Sequence, residues 1–184
     1  MTDLSPICAL GQTTPQSRRI GAVTLTENSE LGLASLALRR GSAAPQIGVT
    51  LPGPGGWAEG SGIAAFWTGP DQWMVEYPGR ATQNVAAELI AAAPGTSVTE
   101  QTDGFVAFEI SAPEPQLLAL VSKLVNVDPA RFAPGSATRT GFHHMSVFVI
   151  RRAPDRMALI GMRSAAGTIW HGLVETAELL EVMA

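Results

Sequence analysis

The chain has 184 residues, of which 46% are apolar and only 15% charged, with a formal net charge of −4. A chain of this length buries about 70% of its unfolded surface, enough for one core without metal or disulfide, and the composition excludes disorder. The acidic balance excludes a binder that tracks nucleic-acid phosphates, which needs a basic stripe.

Lys123 is the only lysine, so arginine carries nearly all the positive charge. Cys8 is the only cysteine, which rules out an internal disulfide and any Cys/His spacing for zinc. The first residues show no basic start followed by an apolar run, and no apolar stretch is long enough to span a bilayer. The expectation is a cytoplasmic protein that contacts neither membrane nor nucleic acid.

Residues 1–19 read as an arm, because Pro6, Gly11, Pro15 and Arg18-Arg19 leave no usable periodicity. Ala22 to Glu27 alternates weakly, and Leu31 to Leu38 is a stronger strand. The Pro52-Gly-Pro-Gly-Gly56 loop holds no regular structure. Ile63 to Trp67 and Trp73 to Tyr77 flank Gly69-Pro70-Asp71-Gln72, a hairpin with turn chemistry suited to proline and aspartate. Ala81 to Ala93 reads as a helix with Val85, Leu89 and Ile90 on one face, stopped by Pro94-Gly95.

Phe105 to Ile110 alternates as a strand, and Ser111 with Glu114 has capping-box spacing. Leu117, Leu118, Val121, Leu124 and Val125 then form a helical apolar stripe. A loop at 126–135 follows, and Met145 to Ile150 and Met157 to Ile160 flank a second Pro-Asp turn, Pro154-Asp155. From Ser164 onward, Ile169, Trp170, Leu173, Val174, Ala177 and Leu180 share a helix face.

The order of these pieces repeats. Gly32-Leu-Ala-Ser-Leu-Ala-Leu corresponds to Gly104-Phe-Val-Ala-Phe-Glu-Ile, Pro70-Asp71 to Pro154-Asp155, Arg80 to Arg163 and Leu89 to Leu173. Two copies do not make a solenoid. The expected organisation is an arm at 1–19, a first α+β subdomain at 20–97 and a second at 98–184, forming one compact unit.

Chemistry is hard to find in this sequence. His143-His144 is the obvious candidate for a base or metal ligand, but neighbours in a strand point to opposite faces. His171 beside Trp170 reads as a surface residue. Glu100 and Asp103 are close enough to share a site, although a solvated strand-end pair is the simpler reading. The Gly-rich loop at 52–56 is followed by Trp57 and more glycine, with no lysine and no helix start, so it is no phosphate loop. No nucleophile elbow and no dinucleotide fingerprint occur. Trp67 and Trp73 read as core or interface aromatics. No catalytic, cofactor-binding or metal residue is assigned.

The run Asp103-Gly104, Phe105 to Ile110, Ser111-Ala112-Pro113, an apolar helix, Asn126-Val-Asp128-Pro129, Pro134-Gly135 and Thr138-Arg-Thr resembles the folate-binding domain family typified by the glycine-cleavage T-protein. Within that superfamily, Trp67-Thr-Gly69-Pro70-Asp71-Gln72-Trp73, Asp128 through Arg139, Arg163-Ser164 and Trp170 are most similar to the gamma subunits of heterotetrameric bacterial sarcosine oxidases. Ala112 stands where that family usually has glycine. The paired-aspartate loop of the T-protein enzymes is absent, as is the Lys-Gly-Cys motif of their iron–sulfur-related relatives.

The resemblance implies two related α+β subdomains and membership of a complex that oxidises sarcosine with oxygen to glycine and hydrogen peroxide. In that complex tetrahydrofolate captures the one-carbon unit. It further implies alpha, beta and delta subunits as partners, with FAD, FMN, NAD and tetrahydrofolate carried by other subunits and none by this chain. The alternative is a stand-alone folate-binding or aminomethyltransferase-like protein. The tryptophans at 57, 67, 73 and 170 and the low charge suit a partner-dependent chain. The arm or the 52–61 loop is expected to dock on a larger subunit, and at least one of Trp57 and Trp67 to be partly exposed when the chain is alone.

Overall fold

The computed structural model describes residues 6–183. Its elements run β1 (Ser17–Ile20), β2 (Val23–Asn28), β3 (Gly32–Leu38), β4 (Trp57–Glu59), β5 (Ala64–Gly69), β6 (Gln72–Tyr77), α1 (Val85–Ala92) and β7 (Thr96–Glu100). A single 3₁₀ turn leads to β8 (Phe105–Ser111), α2 (Glu114–Leu124), β9 (Ser136–Phe142), β10 (Met145–Ala153) and β11 (Arg156–Met162). A second 3₁₀ turn opens onto α3 (Ala166–Val182).

The strands form two antiparallel sheets, ordered β1-β2-β8-β11-β10-β9 and β4-β5-β6-β3-β7. Strict alternation sorts each strand between two faces. Val23 and Leu25 of β2, Phe108 and Ile110 of β8 and Leu159 of β11 pack with Leu117, Leu120, Ile169 and Leu173 of α2 and α3. The opposite face of this sheet meets the five-stranded sheet through Ile150, Ala158 and Ile160 against Leu33, Phe66 and Met74. Beyond the second sheet, Leu36, Val75 and Tyr77 pack under Val85 and Leu89 of α1 and under the loop residues Ile47 and Val49. The result is four layers: helices, sheet, sheet, then helix with loop.

Most predicted elements lie where the periodicity put them, including the hairpin at Pro70-Asp71, where Gly69 pairs with Gln72. Asp71 takes the left-handed conformation (φ 56°) that closes this turn. The Pro154-Asp155 turn also spans two residues, with Ala153 paired to Arg156, but Asp155 does not take the left-handed conformation. In both hairpins the pairing register shifts one residue before the turn. The strand orders also correspond, β7-β3-β6-β5-β4 against β2-β8-β11-β10-β9.

The subdomain boundaries differ from expectation. β2 immediately precedes β3 in the chain yet pairs with β8, while β7 immediately precedes β8 yet pairs with β3. Residues 17–28 therefore belong to the sheet of the second half, and the expected division at residue 97 falls inside β7. Alternation marks a strand but not its partner, so this exchange of leading strands left no trace in the pattern. The sheets are joined again at β4 and β9, where Trp57 N–H donates to the Gly135 carbonyl (2.7 Å) and Ala137 N–H to that of Gly55 (2.8 Å). Gly55 (φ 72°) and Gly135 (φ 84°) both need the left-handed conformation for this approach.

Three further details depart from the sequence reading. The arm contains β1, and its described part is fastened to the body: Leu10 and Gln16 N–H donate to the buried Glu27 carboxylate (2.9 and 3.2 Å). Arg163 also donates to the Ile7 carbonyl at 2.7 Å. Residues 1–5 lie outside the described residues. Ser111 does not cap α2; it ends β8, and Pro113 occupies the N-cap with no side-chain bond, its fixed φ doing the work. On α2 the buried stripe is Leu117, Leu120 and Val121, with Leu118 and Leu124 half-buried.

Because β2 completes the sheet of the second half, a fragment of residues 101–184 is expected to lack its native fold, as judged by amide dispersion in NMR. In the full chain, Leu25→Ala removes a fully buried side chain of that exchanged strand. It is expected to cost about 3 kcal/mol in urea unfolding.

Candidate functional site

His143 and His144 are exposed and occupy the two-residue turn between β9 and β10, whose flanking pair is Phe142–Met145. This corrects the strand placement. His143 has φ 50°, and its ring sits edge-on to Phe142 (4.6 Å between centroids). His171 lies exposed on α3, 3.1 Å from Glu175 one turn on. Among the described residues, no group of three or more His, Cys, Asp or Glu is placed to hold a metal ion. No helix among them is long and apolar enough to cross a membrane.

Glu100 and Asp103 do not converge. Glu100 accepts from Ala86 N–H at the start of α1 and from the Thr102 hydroxyl and the Gln101 and Thr102 amides. Burial raises its pKa, but these donors outweigh it and hold the carboxyl below its ordinary value. Nearby, the Arg80 guanidinium lies 5.2 Å from the Tyr77 ring centroid and pairs with Glu88. Burial and the Glu88 charge push the Tyr77 phenol up to about 12, against the opposing pull of Arg80, with Glu100 adding to the rise.

The chemically richest place is a cleft of about 470 Å³ where the two sheets splay apart. Leu31, Ile63, Ala64 and Pro78 form its apolar walls, and Trp57, Glu76, Glu109 and Arg152 its polar end. Alternation puts these side chains there. Glu76 shares the inner face of β6 with Met74, Glu109 that of β8 with Ala107, and Arg152 that of β10 with Ile150. Sequence reasoning passed over all three. The available signal was an ionisable residue at an inward position of an otherwise apolar strand.

Arg152 grips Glu76 with both terminal nitrogens (Nη2–Oε1 2.6 Å, Nη1–Oε2 3.1 Å). It reaches Glu109 more loosely, at 3.3 and 3.4 Å. Trp57 Nε1 donates to Glu76 Oε2 at 2.7 Å, and Asn28 to Glu109 at 3.2 Å. The guanidinium also lies 5.4 Å from the Trp57 ring centroid. The Glu76 side chain is 1% exposed and that of Arg152 14%. Burial lowers the arginine pKa, but the Glu76 and Glu109 charges outweigh it and raise it overall, so Arg152 is cationic at every accessible pH.

This arrangement is a clasp. Both Glu76 oxygens are engaged, and the cleft lining contains no Cys, His or Lys to act as nucleophile or base. Arg152 and Glu109 stand on the six-stranded sheet and Glu76 on the other, so the ion pair crosses the layer between sheets. The Gly-rich loop leads into β4 and places Trp57 against the clasp, with no helix start for a phosphate. Trp57, Trp67 and Trp170 are half-buried and Trp73 is buried.

Removing one partner of a buried pair strands the other's charge. Glu76→Gln is expected to lower stability by about 3 kcal/mol in urea unfolding. The double variant Glu76→Gln/Arg152→Met should recover part of that loss. Tyr77 supplies a second test, because it is the only tyrosine. Its raised pKa makes the folded state hold its proton longer than the unfolded chain, whose tyrosine titrates near 10. That contribution is full below about pH 10 and is lost as pH rises toward about 12. Absorbance at about 295 nm should follow phenolate formation with its midpoint displaced upward, and the displacement should vanish in denaturant.

No protein-family model matches the sequence, and no curated protein does. Solved structures do. The chain superposes on one from the heterotetrameric sarcosine oxidase of Corynebacterium sp. U-96, in complex with pyrrole 2-carboxylate, with a TM-score of 0.74. That match has 22% identity and covers 89% of this chain and 88% of the other. The glycine cleavage system aminomethyltransferase T from Bartonella henselae matches with a TM-score of 0.56 and 14% identity over 82% of this chain, but over only 45% of its own. At these identities the likeness is one of architecture, and it gives the chain the T-protein-like α+β fold.

Proposed function

We propose that this chain is the gamma subunit of a heterotetrameric sarcosine oxidase and supplies no catalytic residue. The observation that carries this reading is the near end-to-end superposition on one chain of such an assembly, against less than half of the aminomethyltransferase. The cleft supports it as well, since Glu76, Glu109 and Arg152 at its polar end hold one another. In this reading alpha, beta and delta subunits are the partners, and they carry FAD, FMN, NAD and tetrahydrofolate. The assembly works in the cytoplasm, oxidising sarcosine to glycine and hydrogen peroxide while tetrahydrofolate takes the one-carbon unit. The corresponding strand orders and hairpins of the two sheets support a duplicated ancestral unit whose leading strands have exchanged.

A second reading, a stand-alone folate-binding or aminomethyltransferase-like protein, is favoured by the size of the cleft, which lies in the range of small-molecule sites. Its polar end argues against it. A folate ring offers N–H donors to a carboxylate, and both oxygens of the deepest one, Glu76, already accept from Arg152 and Trp57.

The purified chain is expected to be colourless and to release no peroxide with sarcosine. Co-expressed with the flavin-bearing subunits of a sarcosine oxidase, it should co-purify and raise the yield of active complex. Saturable binding of tetrahydrofolate by the isolated chain, with no association with those subunits, would establish the second reading. Trp57→Ala is a poor interface probe, because it removes a donor from the buried clasp; Trp67 is better suited.

A further inference from the structure

The face of the six-stranded sheet that packs on the other sheet continues past the clasp without cover. Pairing in β1, β2, β8 and β11 aligns Arg19 with Thr24, Thr24 with Ser111 and Ser111 with Arg156. Paired residues of antiparallel strands share a face, so these four form one cross-strand row. Their neighbours confirm the side: Ile20, Val23, Ile110 and Met157 point to the helices. Arg19, Ser111 and Arg156 are exposed and Thr24 is half-buried.

The row is a line of unsatisfied donors. Among the described residues, neither hydroxyl of Thr24 and Ser111 makes a side-chain hydrogen bond, and Arg19 reaches only the Gly21 carbonyl (3.2 Å). The nearest carboxylate to Arg156 is its neighbour Asp155 at 4.0 Å, with both side chains about two-thirds exposed (64% and 69%). Glu109, on the next row, is already held by Arg152 and Asn28. By contrast Arg18, Arg80, Arg151 and Arg152 each contact a carboxylate at 3.0 Å or less. A chain of net charge −4 thus presents two weakly neutralised arginines flanking two hydroxyls.

We infer that this row docks an extended acidic segment of a partner chain, laid across the strands with carboxylates four residues apart. The spacing sets that choice. Three inter-strand steps separate Arg19 from Arg156, roughly 14 Å, and four residues of extended chain span about the same. Alternation then turns residues i, i+2 and i+4 toward the sheet: the outer two meet the arginines and the middle one meets the hydroxyls. Charge complementarity names the occupant, and the four-strand width of the row favours a segment over a single anion.

The probe is the blocked peptide Glu-Thr-Ser-Thr-Glu, titrated into the full chain and followed by amide NMR. Shifts are expected at Arg19, Thr24, Ser111 and Arg156 and their strand neighbours, weakening with salt. Arg19→Gln/Arg156→Gln, which alters only exposed side chains, should weaken binding about tenfold while the remaining spectrum is unchanged. A peptide with the two glutamates adjacent should bind less well. Shifts elsewhere, insensitivity to the double substitution, equal binding of free glutamate, or preference for an oligonucleotide would each overturn the proposal.

Discussion

The polar end of the layer between the two sheets is organised by one bidentate ion pair, Arg152 with Glu76. Apolar contacts between facing sheets are non-directional, so Ile150 against Phe66 or Met74 tolerates small slides. A planar guanidinium on a carboxylate does not, because its two parallel hydrogen bonds accept one geometry. Trp57 on β4 and Glu109 on β8 extend that constraint to one further strand in each sheet. Such a pair contributes little net stability after desolvation, and its value lies in the arrangement it enforces. It also ends the dry layer: beyond Arg152 the sheets part, the cleft opens and the inner face becomes polar.

The same clasp explains why the cleft reads as architecture. Catalytic carboxylates need lone pairs or protons to offer, and here those of Glu76 are used in joining the sheets. A fold can keep its cavity while its polar end is committed to holding the walls together. The exchange of β2 and β7 acts in the same direction. Each sheet depends on a strand from the other half of the sequence, so the halves form one body.

Strand and helix positions were largely legible because apolar alternation and the 3.6-residue period are local signals. The two Pro-Asp hairpins could be read for the same reason, since turn chemistry sits within four residues. What the sequence could not show was long-range. β1 hides among exposed residues, and the β2–β8 and β3–β7 pairings join strands by rules no local window contains. β9, Ser-Ala-Thr-Arg-Thr-Gly-Phe, has too few apolar residues to announce itself and is held by β10. The clasp was invisible for a related reason: Glu76 and Arg152 are 76 residues apart, and each alone resembles a solvated charge in a strand.

Arg151 and Arg152 show how far one step along a strand changes a residue's work. Successive side chains point to opposite faces, so two adjacent arginines serve two different layers. Arg152 enters the layer between sheets. Arg151, fully buried on the helix side, donates to the Ala153 carbonyl (2.8 Å) and the Pro154 carbonyl (2.5 Å) and pairs with Glu114 at the start of α2 (3.0 Å). Those two carbonyls belong to the bulged hairpin, where irregular pairing costs the strands their regular partners. Its guanidinium therefore supplies the donors that the bulge took away and ties α2 to the turn. One nitrogen, Nη1, is left buried without a partner, a local cost that the surrounding bonds outweigh. Arg152 and Arg156, on adjacent strands, share the opposite face, one closing the layer between the sheets and the other opening onto solvent.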